Sequence, residues 1–177
     1  VFESCSSLKE MIIPSSVISI GNNSFKGCSL LSEIIIPSSV ISIKGYAFQN
    51  CYSLEKVTLS SSMTSIEENL FQNCKKLVQI IIPSSITSIK SNAFDGCSSL
   101  NQISIPKSVV SFGSNVFQGI QSLDIKGDIE CFSNRLFENC SSLQEIKIPP
   151  TVKSLKSYVF KGCKSLSQLV IPPSVTC

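Results

Sequence analysis

The sequence contains no histidine in its 177 residues. A Ser-His-Asp triad, a Cys-His pair and a histidine-ligated metal site are therefore excluded from this chain. Charge is sparse, at 15% of residues, and the formal net charge of +3 is too small to indicate nucleic-acid binding. No stretch approaches the ~20 apolar residues of a membrane-spanning helix. The first residues show no basic segment followed by an apolar one, so no signal peptide is visible.

A repeated unit is the main feature of what the sequence does contain. Phenylalanine recurs every 23 residues, with one interval of 20, at Phe2, Phe25, Phe48, Phe71, Phe94, Phe117, Phe137 and Phe160. A leucine or isoleucine recurs in step with it, at Leu8, Leu31, Leu54, Leu77, Leu100, Ile120, Leu143 and Leu166. Since one such unit cannot bury its apolar face alone, this spacing predicts a stack of units around a continuous core.

The shortened repeat keeps the pattern only when three residues are omitted after Gly119. Ile120, Leu123 and Ile125 then align with the apolar residues of the preceding repeat, Leu100, Ile103 and Ile105. This alignment predicts that the strand of the shortened repeat pairs in the same register as all the others. It also explains why the repeat has no cysteine.

Each repeat contains a predicted strand, written Leu-x-x-Ile-x-Ile. The alternation and the β-branched residues suit a half-buried strand, and equivalent segments one repeat apart must run parallel, ~4.8 Å from each other. A proline such as Pro37, Pro83 or Pro106 follows the strand and marks its end, because proline cannot donate to a β-ladder. The sequence therefore predicts one parallel sheet along the stack.

The opposite side of each repeat is predicted to be a short helical turn. Ile43, Ala47 and Cys51 are spaced by four residues and would share one helical face. The position two residues after each phenylalanine is mostly Gly or Asn, which accept a left-handed backbone. We therefore predict positive φ at this position, namely at Ser4, Gly27, Asn50, Asn73, Gly96, Gly119, Asn139 and Gly162.

Seven of the nine cysteines occupy one position of the repeat: Cys5, Cys28, Cys51, Cys74, Cys97, Cys140 and Cys163. Stacked side chains would hold their Cβ atoms ~4.8 Å apart, farther than the ~3.8 Å of a disulfide. We therefore expect buried free thiols that pack as small apolar residues. Zinc is disfavoured, since there is no Cys-x-x-Cys pair. Cys131 and Cys177 take a place that serine holds elsewhere, and we expect them to be serine substitutes, an exposed thiol being the alternative.

The repeat resembles the BspA-like leucine-rich repeats of surface proteins from bacteria and some protozoan parasites. The resemblance rests on the pattern L-x-x-I-x-I-P-x-S-V-x-x-I-x-x-x-A-F-x-x-C and covers Phe2 to Cys177, with Ser60 and Lys126 standing where proline is usual. It implies an α/β leucine-rich-repeat solenoid, a right-handed coil or horseshoe with a parallel β-sheet on the concave face and short helical turns on the convex face. We expect a single domain, 1–177, of about eight repeats, with 117–136 shortened, as a fragment that lacks terminal caps.

The outward-facing strand positions in the first half of the chain are candidate partner-binding residues. They combine an apolar stripe with charged neighbours, as interaction surfaces do. The predicted set is Glu10, Ile12, Glu33, Ile35, Glu55, Lys56, Thr58, Val78 and Ile81. The alternative interpretation is that these β-branched residues only favour the strand conformation.

The resemblance implies a non-catalytic interaction or adhesion module of a cell-surface or secreted protein. Its expected partner is a host, matrix or other surface protein, with no nucleic acid, cofactor or metal. A passive spacer that presents other domains is the alternative. No acid–base pair or nucleophile stands out from the repeat, so we do not expect an enzyme.

Two triplets match the pattern for N-linked glycosylation, Asn22-Asn23-Ser24 and Asn139-Cys140-Ser141. The second includes a cysteine expected in the core, and we interpret that match as a coincidence.

Overall fold

The computed structural model describes residues 1–120, 122–126 and 129–176. Within these ranges the chain forms only short strands and turns. The strands are β1 (Ser19–Ile20), β2 (Glu33–Ile35), β3 (Ser42–Ile43), β4 (Lys56–Thr58), β5 (Ser65–Ile66), β6 (Gln79–Ile81), β7 (Ser88–Ile89), β8 (Gln102–Ser104), β9 (Ser111–Phe112), β10 (Ser122–Lys126), β11 (Cys131–Phe132), β12 (Glu145–Lys147), β13 (Ser154–Leu155) and β14 (Gln168–Val170).

The predicted parallel sheet is confirmed. It has seven strands in the order β14-β12-β10-β8-β6-β4-β2, and each pairs with the strands one repeat away. Ile34, Val57, Ile80 and Ile103 are successive partners and point into the core, while the residues on either side of them are exposed. Each repeat thus adds one rung to the sheet and one row to the core.

A second set of parallel pairings runs along the stack and was not predicted. It joins β1 to β3, then β5 to β7 and β9, then β11 to β13. Each strand here has only two residues, a serine or cysteine followed by an apolar residue such as Ile43 or Ile66. Two rows of backbone hydrogen bonds therefore hold the repeats together.

The expected helical turns are wrong: no helix occurs in the part of the chain that the structure describes. The reason is a second position with left-handed backbone, two residues before the repeat phenylalanine in the seven repeats from Phe25 to Phe160. Tyr46, inside the segment expected to be helical, has φ 62°, and a right-handed helix does not continue through such a residue. The other members are Asn23, Asn69, Asn92, Asn115, Arg135 and Tyr158. The fold is therefore a β-solenoid with turns on its second side rather than an α/β structure.

The turns replace helical hydrogen bonds with bonds between repeats. The Phe48 amide donates to the Leu70 carbonyl oxygen at 3.1 Å, and the Asn50 amide donates to that of Gln72 at 2.9 Å. The predicted positive φ is confirmed at all eight positions, from 60° at Asn73 to 82° at Gly119. Each turn therefore contains two residues with left-handed backbone, and its amides donate hydrogen bonds to carbonyl groups of the next repeat.

The core is built around a stack of phenylalanine rings. Successive members of the repeat lie 5.2–5.8 Å apart between ring centroids, from Phe2 to Phe160. The interplanar angles within the stack reach no more than 27°, so the rings are nearly parallel, and such separations suit offset stacking. The stack passes through the shortened repeat without a break, since Phe117 and Phe137 are 5.5 Å apart.

The shortened repeat changes the register of the sheet, and here the sequence alignment is only half right. Leu123 pairs with Ile146 of β12, as expected, but Ile125 rather than Leu123 pairs with Ile103 of β8. The five-residue strand β10 therefore pairs with β8 and with β12 in two registers that differ by two residues. Because side chains alternate with period two, this slip keeps both Leu123 and Ile125 in the core.

The three-residue deficit also affects the turn. The Ile120 amide donates to the Phe117 carbonyl oxygen at 3.3 Å, just as Cys97 donates to Phe94 at 3.2 Å. Relative to the turn, Ile120 thus occupies the position that cysteine has in other repeats and not the position of their leucine. Among the described residues, the second row of strands is interrupted between β9 and β11, beside this repeat, and also between β3 and β5, where the repeats have the ordinary length.

Candidate functional site

All nine predicted partner-binding residues are exposed. Seven of them lie on or just before strands β2, β4 and β6, whose outward side chains form one surface. Glu33 is the sheet partner of Lys56, while Ile35, Thr58 and Ile81 are consecutive partners across the three strands. We call the surface formed by the nine residues the apolar–charged face.

Glu10 and Ile12 join this face from a segment that is not a strand. They lie beside Glu33 and Ile35 and line one shallow groove with them, with Pro37 at its edge. The backbone follows the same stacking, since the Ser32 amide donates to the Lys9 carbonyl oxygen at 3.4 Å. The structure therefore brings the first predicted pair together with the others.

The isoleucines of the face are unusually open to solvent. Ile12 is 89% exposed, Ile35 60% and Ile81 71%, although Ile35 and Ile81 each directly follow a buried isoleucine of the same strand. Thr58 interrupts the stripe between Ile35 and Ile81 and keeps a methyl group there. Aliphatic area of this extent on a regular, rigid ladder is typical of a binding surface.

The charged part of the face is mixed rather than acidic. Glu55 lies 3.7 Å from the ammonium nitrogen of Lys76, a residue that the sequence did not single out, and Glu33 is paired in register with Lys56. Both groups of the Glu55–Lys76 pair are more than half exposed, so the pair adds little to stability. These charges can instead orient a partner around the isoleucine stripe.

A second exposed apolar row was missed by the sequence reasoning. Ile18, Ile41 and Val110 precede β1, β3 and β9, and Ile18 and Val110 are 61% and 71% exposed. The signal was the recurrence of β-branched residues at this position, with Thr64 and Thr87 between them. Val170 on β14 is a further exposed residue, at the opposite end of the main sheet from Ile12.

The thiols lie in the core except at the ends of the stack. Cys28, Cys51, Cys74, Cys97 and Cys140 are buried, whereas Cys5 is exposed and Cys163 is half-buried. The expected burial is therefore wrong for the last two, because the repeats that hold them are covered on one side only. Desolvation by burial, the largest effect, raises the pKa of Cys51 to about 12.

Every described cysteine is a free thiol, and Cys131 on β11 is half-buried. Cys177 lies outside the described residues. Over the described ranges, no group of three histidine, cysteine, aspartate or glutamate residues is arranged to hold a metal ion. In those same ranges, no helix has the length and hydrophobicity needed to cross a membrane.

The repeats match the model of the BspA type leucine rich repeat region in six copies, over residues 1–124 and 76–177. The chain belongs to this family. The resemblance drawn from the sequence is thereby confirmed, and leucine-rich-repeat proteins of this kind are generally protein-interaction modules. No curated protein matches the sequence.

Solved structures agree with the BspA-type assignment. The chain is similar to the T. pallidum Leucine Rich Repeat protein TpLRR, with a TM-score of 0.72 and 29% identity over 85% of this chain and 72% of that one. A leucine-rich repeat protein from Bacteroides ovatus gives a TM-score of 0.51 and 28% identity over 98% and 63% of the two chains. A leucine-rich repeat protein from Eubacterium ventriosum shares the fold, with a TM-score of 0.51 and 23% identity over 95% and 62%.

This BspA-type chain thus spans about two thirds of the Bacteroides and Eubacterium proteins and somewhat more of TpLRR. The shared part is the repeat array itself. Its apolar–charged face is built by side chains at outward positions, which can vary without changing the core.

Proposed function

We propose that this chain is a non-catalytic interaction module that binds a protein through the apolar–charged face. The observation that carries the proposal is the row Ile35–Thr58–Ile81, in which consecutive sheet partners present aliphatic groups to solvent. Full burial of an isoleucine side chain contributes about 1.5–3 kcal/mol. The two isoleucines together therefore supply a hydrophobic centre, and the charged residues around them supply orientation.

The structure of the sheet favours recognition by side chains. The backbone amides and carbonyl groups of β4 and β6 pair with strands on both sides, so they are not available to a partner. The two parallel rows of hydrogen bonds and the ring stack hold the face in place before binding. A preformed face loses little conformational entropy when a partner docks.

The remaining parts of the proposal follow from family membership. We propose that the chain belongs to a cell-surface or secreted protein and that its partner is a host, matrix or other surface protein. We also propose that it has no catalytic activity. The absence of histidine and the pairing of the exposed Glu55 carboxylate with Lys76 support that statement.

The test compares two double variants. Ile35→Lys with Ile81→Lys places charge at the centre of the proposed interface, and Ile18→Lys with Val110→Lys makes the same change on the second exposed row. The chain is screened against purified extracellular and surface proteins, and each partner found is then measured with both variants. Circular dichroism and thermal unfolding verify that both remain folded.

We expect the first variant to weaken binding at least tenfold, which is about 1.4 kcal/mol, and the matched control to bind like the unmodified chain. Equal binding by both variants would assign the partner to another surface. Weak binding of the control alone would transfer the function to the row at Ile18, Ile41 and Val110.

A passive spacer is the second candidate function. It is favoured by the polar outward positions of later strands, such as Gln102, Ser104 and Lys147, which resemble an ordinary solvated surface. Failure of the unmodified chain to bind any protein of the screen would favour the spacer.

A further inference from the structure

The structure separates the two glycosylation triplets, because it gives their asparagines different surroundings. The acceptor pattern is Asn-x-Ser or Asn-x-Thr with x other than proline, and the sugar is attached to the side-chain amide nitrogen. The folded chain must leave room at that nitrogen for a bulky group. Asn22 and Asn139 can therefore be compared by what their carboxamides contact.

The Asn22 side chain is open. It is exposed in the turn that follows β1, and its carboxamide makes no hydrogen bond to any residue in the described ranges. The next repeat has a glycine, Gly45, at the equivalent position. An added Cβ there would lie 4.0 Å from Asn22 Oδ1, so the absence of a side chain at Gly45 leaves space directly beside the amide.

The surface beyond Asn22 suits a saccharide. A shallow groove continues from it past Gly45 and is lined by Lys44, Glu67, Glu68 and Lys90. Charged groups of both signs can donate to and accept from sugar hydroxyls. The groove also lies off the main sheet, since β1 belongs to the second row of strands.

Asn139 is held on both sides. Its Nδ2 donates to Asn115 Oδ1 at 3.2 Å, and a Cβ added to Gly162 in the next repeat would lie 2.6 Å from Asn139 Oδ1. The residue within its triplet, Cys140, is fully buried in the core. A sugar on Asn139 would compete with the contact to Asn115 and with the close approach of the Gly162 backbone.

We infer that Asn22 is an acceptor of an N-linked oligosaccharide and that Asn139 is not. In the transfer step, Asn22 Nδ2 attacks C1 of a polyprenyl-diphosphate-linked oligosaccharide. The new C–N bond forms as the C1–O bond to phosphate breaks, the nitrogen loses one proton and the polyprenyl diphosphate leaves. The inference rests on the proposed function only for the extracellular location that brings the chain to such a donor.

The test is secretion of the chain, with a foreign leader, from a eukaryotic cell line, followed by peptide mapping. Enzymatic release of N-glycans in ¹⁸O-labelled water converts a formerly glycosylated asparagine to aspartate that carries the heavy oxygen. We expect the label at Asn22 and none at Asn139. Asn22→Gln should remove the glycan and the associated mass, whereas Ser24→Thr and Ser141→Ala should leave both unchanged.

A secreted chain without a glycan, or a label at Asn139, would overturn the inference. The substitution at Asn22 changes an exposed side chain, so loss of the glycan is separable from loss of the fold. Partner binding is measured on chain produced in bacteria without glycans. Failure of glycosylation and failure of the proposed function are therefore distinguishable.

Discussion

The thiol of Cys74 donates a hydrogen bond to the carbonyl oxygen of Phe48, which lies in the preceding repeat, at 3.2 Å. The same bond joins Cys28 to Phe2, Cys51 to Phe25, Cys97 to Phe71 and Cys163 to Phe137, at 3.1–3.2 Å. In these five repeats the cysteine therefore does more than fill space. It ties its own repeat to the backbone of the one before.

Replacement of a central cysteine should destabilise the solenoid. Cys74→Ala removes a buried thiol and its hydrogen bond, and we expect the free energy of unfolding to fall by about 1–3 kcal/mol. Cys5→Ala changes an exposed thiol and should have an effect within about 0.5 kcal/mol. Denaturant unfolding measures both. Equal effects would show that the central thiol contributes nothing beyond a surface residue.

Stability should fall in alkaline solution because of the buried thiols. An ordinary thiol, as in the unfolded chain, ionises near 9.0, whereas burial raises the pKa of Cys51 to about 12 in the folded chain. The folded state therefore keeps a proton that the unfolded state loses, and stability decreases as pH rises from about 9 to about 12. Below about pH 9 this contribution is fully present.

The measurement compares the unmodified chain with Cys51→Ala from about pH 7 to about pH 11. The two proteins differ only at residue 51, so the difference between the two slopes reports the thiol. We expect the variant to lose less stability per pH unit above pH ~9. Parallel curves would mean that Cys51 ionises equally readily folded and unfolded.

Gly96 should not tolerate a side chain. Its φ is 72°, and a Cβ would run into the carboxamide of Asn73 in the preceding repeat. We expect Gly96→Ala to destabilise by about 1–3 kcal/mol. Gly21→Ala is the matched control, because its Cβ would meet only Ser24 Oγ at an ordinary 3.6 Å.

Thermal and denaturant unfolding of the two alanine variants test this expectation. The control should be neutral or stabilising by about 0.4–1 kcal/mol, since alanine restricts the unfolded chain. A stable Gly96→Ala protein would contradict the left-handed turn at this position.

Hydrogen exchange should be faster where the second row of strands is interrupted between β9 and β11 than where it is continuous. The Lys153 amide donates to the Glu130 carbonyl oxygen at 2.7 Å, whereas the equivalent Glu130 amide has no such bond to Val110 within the described residues. We expect the Glu130 amide to exchange faster than that of Lys153 by roughly an order of magnitude. Exchange measured by NMR gives both rates in one experiment.

Insertion of Cys-Ser-Ser after Gly119 is the companion experiment. It restores the 23-residue length of the repeat and should let Leu123 pair with Ile103 in place of Ile125. Protection of the Glu130 amide should then rise towards that of Lys153. Unchanged exchange would assign the interruption to some cause other than the missing residues.

Much of the fold could be predicted because stacking turns a local pattern into a global one. The alternation around Ile34, Val57 and Ile80 determines which residues are buried, and identical segments one repeat apart can pair only in parallel. The Gly and Asn residues two places after the repeat phenylalanine predicted the left-handed turn, because few other residues accept that backbone.

The helical turn was wrong because spacing alone does not reveal a backbone reversal. Asn23, Asn69, Asn92 and Asn115 were the signal for a second left-handed position, but Tyr46 and two other residues of unfavourable type share it. Tertiary hydrogen bonds from neighbouring turns hold Tyr46 in that conformation, which its own propensity would not.

The register of the shortened repeat and the charge pairing of the candidate site could not be predicted from the sequence and became visible only in the structure. A sequence alignment gives β10 one register, whereas the strand keeps that register with β12 and is shifted by two residues against β8. Lys76 escaped notice beside Glu55 because its partner comes from a different repeat and a different position within it.

The uninterrupted phenylalanine stack has a consequence for how such a coil can diversify. Because the rings stay stacked even where a repeat is three residues short, trimming one repeat leaves the aromatic core continuous, and the change is taken up by the register of the sheet beside it. Repeats can therefore be gained, lost or shortened by genetic recombination, and the outward-facing residues of each repeat can be substituted without a change in the core.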